Sequence, residues 1–261
     1  MPVKKKSSTL AAIVFAMFFP TVLTWVYFVL MANWSAYAQQ SAYSVLKFVQ
    51  FGFPAVWSWC YFRETLPALV PGRQHPELAV ASQQAGSKIP GSGWLVSVWF
   101  GLFVAASVFA GYWFLSRTGW IEESFVEVVR QRVSGMDIDT PLRFAALGVF
   151  YALIHSYLEE YYWRWFVYIR LRDYLPDKMA ILVSSLGFMS HHVILLGTFF
   201  GWSSPLTWVF SVGVAIGGVV WAWLYRRTGN LLYPWISHLI VDAALFTLGY
   251  FLVFGWINHS S

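Results

Sequence analysis

Residues 157–166 read YLEEYYWRWF, two adjacent carboxylates and an arginine set among aromatic side chains. The flanks are apolar, FAALGVFYALIHS at 144–156 and VYI at 167–169. A charged side chain at the centre of a bilayer costs about 2.5–3.5 kcal/mol even on the most lenient insertion scales. If the stretch is a membrane helix, Glu159, Glu160 and Arg164 are there for a reason other than solubility.

The surroundings establish that it is one. Of 261 residues, 58% are hydrophobic, 20% aromatic and 11% charged, with a mean hydropathy of +0.57. Soluble domains carry about 25% charged residues, so the composition is that of an integral membrane protein. No Asp, Glu, Lys or Arg occurs from Ser7 to Leu46, from Trp94 to Ser116 or from Met179 to Tyr225, and after Arg227 only Asp242 does. A span needs ~20 apolar residues. The runs predict helices near 9–32, 43–62, 94–116, 144–170, 179–200, 205–225 and 232–256. The last is long enough to be split, so the expectation is an all-α polytopic transmembrane bundle of seven or eight spans, built as a single membrane domain over 1–261.

The net charge of +5 sits in loops and points to membrane lipids as partners, not to nucleic acid. Lys4, Lys5 and Lys6 precede the first span and predict a cytoplasmic N-terminus by the positive-inside rule. Alternation then puts the basic loops, 63–93 with Arg63, Arg73 and Lys88, Arg170/Arg172/Lys178 and Arg226–Arg227, on the same side, and the uncharged 33–42 and 201–204 loops opposite. The 117–143 segment breaks the pattern with four arginines balanced by five acids, and FVEVVRQRV within it reads as an amphipathic surface helix. The apolar run from Leu10 to Met31 exceeds the 7–15 residues of a cleavable signal's core, so a retained anchor is expected. The lone cysteine, Cys60, rules out an internal disulfide and any cysteine-based zinc motif.

Ionisable residues inside spans are functional candidates by default. Three clusters qualify: Glu159, Glu160 and Arg164; His191 and His192; His238 and Asp242. His155 is a weaker fourth. Glu160 and Arg164 are four apart, on one helix face and in the favoured order for a pair, so a structural ion pair is expected. Glu159 is rotated ~100° from Glu160, without that partner, and is the expected general base. Phe188 and His192 share a face, as do His238 and Asp242. At ~1.5 Å per residue, Glu159 and His238 each lie about 16 Å, and His192 about 21 Å, from the nearest basic flank. The three helices can therefore present these groups at one depth.

With those residues in hand, a family resemblance can be stated. EEYYWR at 159–164 fits E-E-x-x-x-R, FMSHH at 188–192 fits F-x-x-x-H, and HLIVD at 238–242 fits H-x-x-x-N/D. Order, spacing and setting resemble the type II CAAX prenyl endopeptidase and bacteriocin-processing family of intramembrane proteases, the CPBP or ABI family. The resemblance covers about 144–250, which would be the catalytic core, with 1–116 as additional N-terminal spans. It implies that Glu159 activates water with the help of His192, that Glu160 and Arg164 organise the site, and that His238 and Asp242 stabilise the oxyanion. His191 is the runner-up for the role of His192. Asp242 stands where the family also uses asparagine; it donates to an oxyanion only when protonated and otherwise orients His238 or helps hold a metal. The family has been read both as metalloprotease and as glutamic protease. Metal-independent catalysis is favoured here, with a divalent metal such as zinc as the alternative and Glu159, His192, His238 and Asp242 as its candidate ligands.

The expected function is thus an intramembrane endopeptidase acting near the C-terminus or leader of a membrane-associated or lipidated protein, in a bacterial cell membrane or the endoplasmic reticulum. The competing classes are an ion- or proton-coupled transporter, against which the absence of visible inverted repeats counts, and a non-catalytic membrane scaffold or immunity protein.

Overall fold

A computed structural model describes residues 3–62, 78, 93–120, 123–134 and 138–255. Its elements are helices, and strands are absent among the described residues. We number them α1 (Val3–Trp25, continued by a π-wound turn Val26–Leu30), α2 (Ala36–Phe62), α3 (Gly93–Arg117), α4 (Glu123–Ser134), α5 (Pro141–Leu171), α6 (Asp177–Phe200), α7 (Pro205–Thr228) and α8 (Leu232–Gly255). Helix α4 coincides with the segment read as amphipathic. The basic 63–93 loop lies almost wholly outside the described residues.

Among the described residues six helices are both long and apolar enough to cross a membrane: Ser7–Leu30, α3, α5, α6, α7 and α8. The protein is an integral, multi-pass membrane protein. With α2 as a further long helix, these are the seven segments expected from sequence. Helix α2 is long enough, at 27 residues, but Gln39, Gln40, Lys47 and Gln50 make it less apolar than the six. Helix α8 runs unbroken to Gly255 and is not split; its last turn, Phe251–Gly255, only widens into π winding.

The helix ends obey local chemistry. The Thr140 side chain accepts from the Arg143 amide, with Pro141 in the first turn of α5. Ser204 caps α7 in the same way ahead of Pro205. Both follow the preference for a hydroxyl cap followed by proline, whose missing N–H would be an orphan there in any case. Helix α7 stops at Gly229, whose φ of 63° puts it in the left-handed region and lets its N–H bond the Tyr225 carbonyl.

Packing divides the chain into two compact units, residues 1–87 with 158–231, and residues 88–157 with 232–261. In the first, α6 and α7 approach closely because Gly218 has no side chain; a Cβ there would lie 3.1 Å from that of Ser185. Helix α1 joins through the Tyr162 hydroxyl, which donates to the Ala16 carbonyl at 2.8 Å. Helix α2 runs parallel to the second half of α5, with Phe51 against Tyr162 and Phe53 against Phe166. In the second unit Gly101 of α3 seats against Ile240 of α8 and Gly148 of α5 against Phe246. The Trp235 indole donates to the Leu153 carbonyl at 3.0 Å.

Candidate active site

Helix α5 is not uniformly α. Tyr151–His155 and Tyr161–Tyr168 are wound as π-helix, with the short α segment Ser156–Glu160 between them. Such widened turns are rare and concentrate at functional sites. Here they bracket the two glutamates. Every residue from Glu159 to Leu171 is buried, so the charges face protein and not lipid.

Glu160 and Arg164 form the expected pair, Nε to Oε2 at 3.1 Å, with both side chains essentially inaccessible. The guanidinium also lies over the rings of Phe188 and Trp221, 4.8 and 5.4 Å from their centroids, and Nη2 donates to the Gly218 carbonyl at 3.4 Å. The pair thus ties α5 to α6 and α7. A planar cation that stacks on aromatic faces suits this place better than a lysine would.

Glu159 differs from its expectation. It is not left without an electrostatic partner: its Oε1 sits 3.4 Å from Nε2 of His191, and the Lys47 ammonium of α2 is close enough to interact with it. His191, read from sequence as pointing elsewhere, is the imidazole that reaches the acid. The reason is the packing of α6. Gly187 leaves room for the Trp163 ring, which a Cβ would meet at 2.9 Å, and the Trp163 and His191 rings lie parallel, 4° apart in plane, at 6.0 Å. That contact turns His191 towards α5.

His192 remains part of the cluster. Its ring is 4.2 Å from that of His191 and 4.7 Å from Phe188, the buttress expected from their shared face. Its Nδ1 lies 3.0 Å from the Phe188 carbonyl. A carbonyl only accepts, so Nδ1 is the donor in that hydrogen bond. Glu159, His191 and His192 each offer a ligand-type atom within 4.8 Å of the others. Among the described residues this is the one such group; of the ligand set expected from sequence it contains Glu159 and His192, with His191 beside them. It fits a divalent ion in donor chemistry, and His192 has the backbone-carbonyl partner that metal-bound imidazoles usually have.

His238 and Asp242 belong to the second unit, where Nε2 and Oδ1 are 3.6 Å apart on one face of α8. His238 is buried and Asp242 partly so. His155, half-buried, stacks against Tyr151 at 4.6 Å in the same unit.

Two side chains here escaped the sequence reading. His191 was ranked below its neighbour, and Lys47 was passed over although the rule applied to the other intramembrane charges covers it equally.

Comparison with known proteins bears on this geometry. Residues 141–244, which hold all three motifs, match the family described as type II CAAX prenyl endopeptidase Rce1-like. That stretch is therefore similar to the CPBP/CAAX protease family, which supports the resemblance carried by the motifs. No curated protein and no solved structure gives a significant match.

Proposed function

We propose that the protein is an intramembrane endopeptidase that hydrolyses a peptide bond near the C-terminus or leader of a membrane-associated or lipidated protein. The observation that carries this reading is the buried cluster of Glu159, His191 and His192 inside the Rce1-like stretch. A carboxylate and two imidazoles held together out of water are suited to taking a proton from a water molecule.

In the proposed reaction Glu159, assisted by the imidazoles, accepts a proton as the water oxygen attacks the scissile carbonyl carbon. The family resemblance gives His238, with Asp242 as a protonated donor or as the group orienting the imidazole, the role of stabilising the oxyanion, the step at which positioned donors usually contribute most. Collapse of the tetrahedral intermediate breaks the C–N bond, and the proton on Glu159 passes to the departing amine. Glu160 and Arg164 take no proton; they hold α5, α6 and α7 in register around the acid.

A second reading has a specific observation in its favour. Glu159, His191 and His192 would be the residues to hold a divalent metal, which when bound would lower the pKa of its water and polarise the carbonyl. Metal content of the purified protein and activity after chelation separate the two. Full activity in metal-free protein supports the glutamate mechanism, and loss restored by zinc supports the other.

The function itself is tested by comparing membrane protein termini in cells bearing the wild type and Glu159→Ala. Termini processed only by the wild type are expected; identical processing in both would refute the assignment. Ion flux in proteoliposomes that needs Glu159, without any cleavage, would favour the transporter reading. Function that survives replacement of Glu159, His192 and His238 together would favour the scaffold.

A further inference from the structure

We infer that Arg172, Arg226 and Arg227 form a binding site for the phosphate headgroup of an anionic membrane lipid, where the ends of α5, α6 and α7 meet. The inference goes beyond the endopeptidase reading and does not depend on it.

The depth of the site follows from the helix ends. Three of the helices able to cross a membrane have an end here: α5 stops at Leu171, α6 starts at Asp177 and α7 stops at Thr228. The three arginines each lie within two positions of one of those ends, the level at which an apolar span gives way to headgroups. Positions 170–178 and 226–227 hold five cations against Asp173 and Asp177, whereas the loop at the other end of α6 and α7, residues 201–204, carries no charge. A positive excess at one end of a span is common and makes no site by itself. The arrangement around Asp177 does.

Asp177 gathers all three helix ends. Its Oδ1 accepts from the Tyr168 hydroxyl at 2.7 Å and pairs with Nε of Arg172 at 3.0 Å, and its Oδ2 pairs with Nε of Arg226. The Arg172 guanidinium also lies 5.9 Å from the centre of the Tyr168 ring. One negative charge thus holds two planar cations side by side, leaving a positive charge over. A guanidinium has five N–H donors, so one that spends two of them on Asp177 keeps three for another acceptor. Arg172 and Arg226 are 21% and 41% exposed, and both can be reached from outside.

Arg227 supplies an independent observation. Its guanidinium lies over the Trp223 ring, 5.7 Å from the centroid, and its Nε is buried without a hydrogen-bond partner. Interiors seldom leave such a donor unsatisfied. A phosphate or ester oxygen of a lipid would supply the acceptor, and Trp223, one turn further into the span, stands where aromatic belts sit.

Charge and depth select the occupant. Arginine forks match the oxygens of a phosphate, and at the end of a span the phosphate present in abundance is that of the lipid. Its chains also have a surface to follow. Met179, Leu182 and Leu186 are exposed at three- and four-residue spacing, so they form one row along α6, beginning two residues after Asp177. A lipid held there would brace α5 and α6, which carry Glu159 and His191, at their shared end.

The test uses the full-length protein and reads thermal unfolding, so it needs no cleavage. Nanodiscs of phosphatidylcholine alone are compared with nanodiscs that also contain phosphatidylglycerol. The anionic lipid should raise the melting temperature by about 2–4 °C, and Arg172→Gln/Arg226→Gln should abolish that rise. Because the double variant strands Asp177, a triple variant with Asp177→Asn added is measured beside it and should also show no rise. Arg117→Gln removes a cation from the end of α3 and should leave the rise intact. Native mass spectrometry during titration with phosphatidylglycerol should show one retained lipid, bound about 20–30-fold more weakly by the double variant, or about fivefold per cation. A rise that persists in both arginine variants, or that Arg117→Gln abolishes equally, overturns the site. Equal stabilisation by inorganic phosphate in phosphatidylcholine nanodiscs overturns the lipid as its occupant.

Discussion

The two halves of α5 have the same backbone course and opposite characters. In the first half Leu142, Val149, Phe150, Leu153 and Ile154 are exposed on the protein surface, and the side chains are those a lipid would accept. In the second half everything from Glu159 to Leu171 is buried, and this is where the acids and the arginine sit. Thus the tolerance of α5 for charge is not a property of the helix; it comes from α2, α6 and α7 supplying partners and excluding lipid. Hydropathy describes the first half well and the second half badly.

Perturbing the second half should cost function or folding, and perturbing the first should cost little. The largest effect is expected for Glu159→Ala, a loss of about 10³-fold or more in cleavage rate, typical of removing a general base. Its contacts to His191 and Lys47 are with groups that also pack against aromatic rings, so the melting temperature followed by tryptophan fluorescence should fall less than on loss of the buried Glu160–Arg164 pair. A large drop in melting temperature would mean that the acid is structural and that the contrast between the two glutamates is wrong. Arg164→Met should instead act on stability, since stranding one member of a buried pair costs about 3–5 kcal/mol. The double variant Glu160→Gln/Arg164→Met should recover part of that loss in the same melting experiment. His191→Gln should lower kcat/KM by about 10²-fold with modest change in melting; activity that depends on His192 alone would restore the ranking read from sequence. The smallest effect belongs to Leu153→Ala in the first half, within about 0.5 kcal/mol of wild type. A larger loss there would show that the first half is also buried by protein in the membrane.

What could be read in advance follows from the same physics. Glu160 and Arg164 were legible because a four-residue spacing in an apolar helix leaves each charge little choice but the other. The three motifs were legible for the same reason: ionisable groups are rare enough in such spans that each one counts. His191 was harder. It and His192 are neighbours ~100° apart around α6, and sequence does not say which direction faces α5; the Trp163 ring and the absence of a side chain at Gly187 decide it. Lys47 was missed through a boundary. A span begun at residue 43 leaves Lys47 near the surface, where lysine is ordinary. The helix begins at Ala36, seven residues earlier, and that shift places Lys47 well inside the helix.

The π-wound stretch Tyr161–Tyr168 has a consequence for how chains of this kind can vary in length. Each wide turn holds an additional residue relative to α winding, so removing one position there is expected to tighten the coil and not to break it. Insertions and deletions are normally confined to loops, yet here a spare residue is stored inside a span, immediately after the two glutamates. Relatives that differ by one residue between the acid and the end of the helix could therefore keep the same loops and the same depth of the acid, while the Arg164 guanidinium would have to find Glu160 across a differently pitched turn.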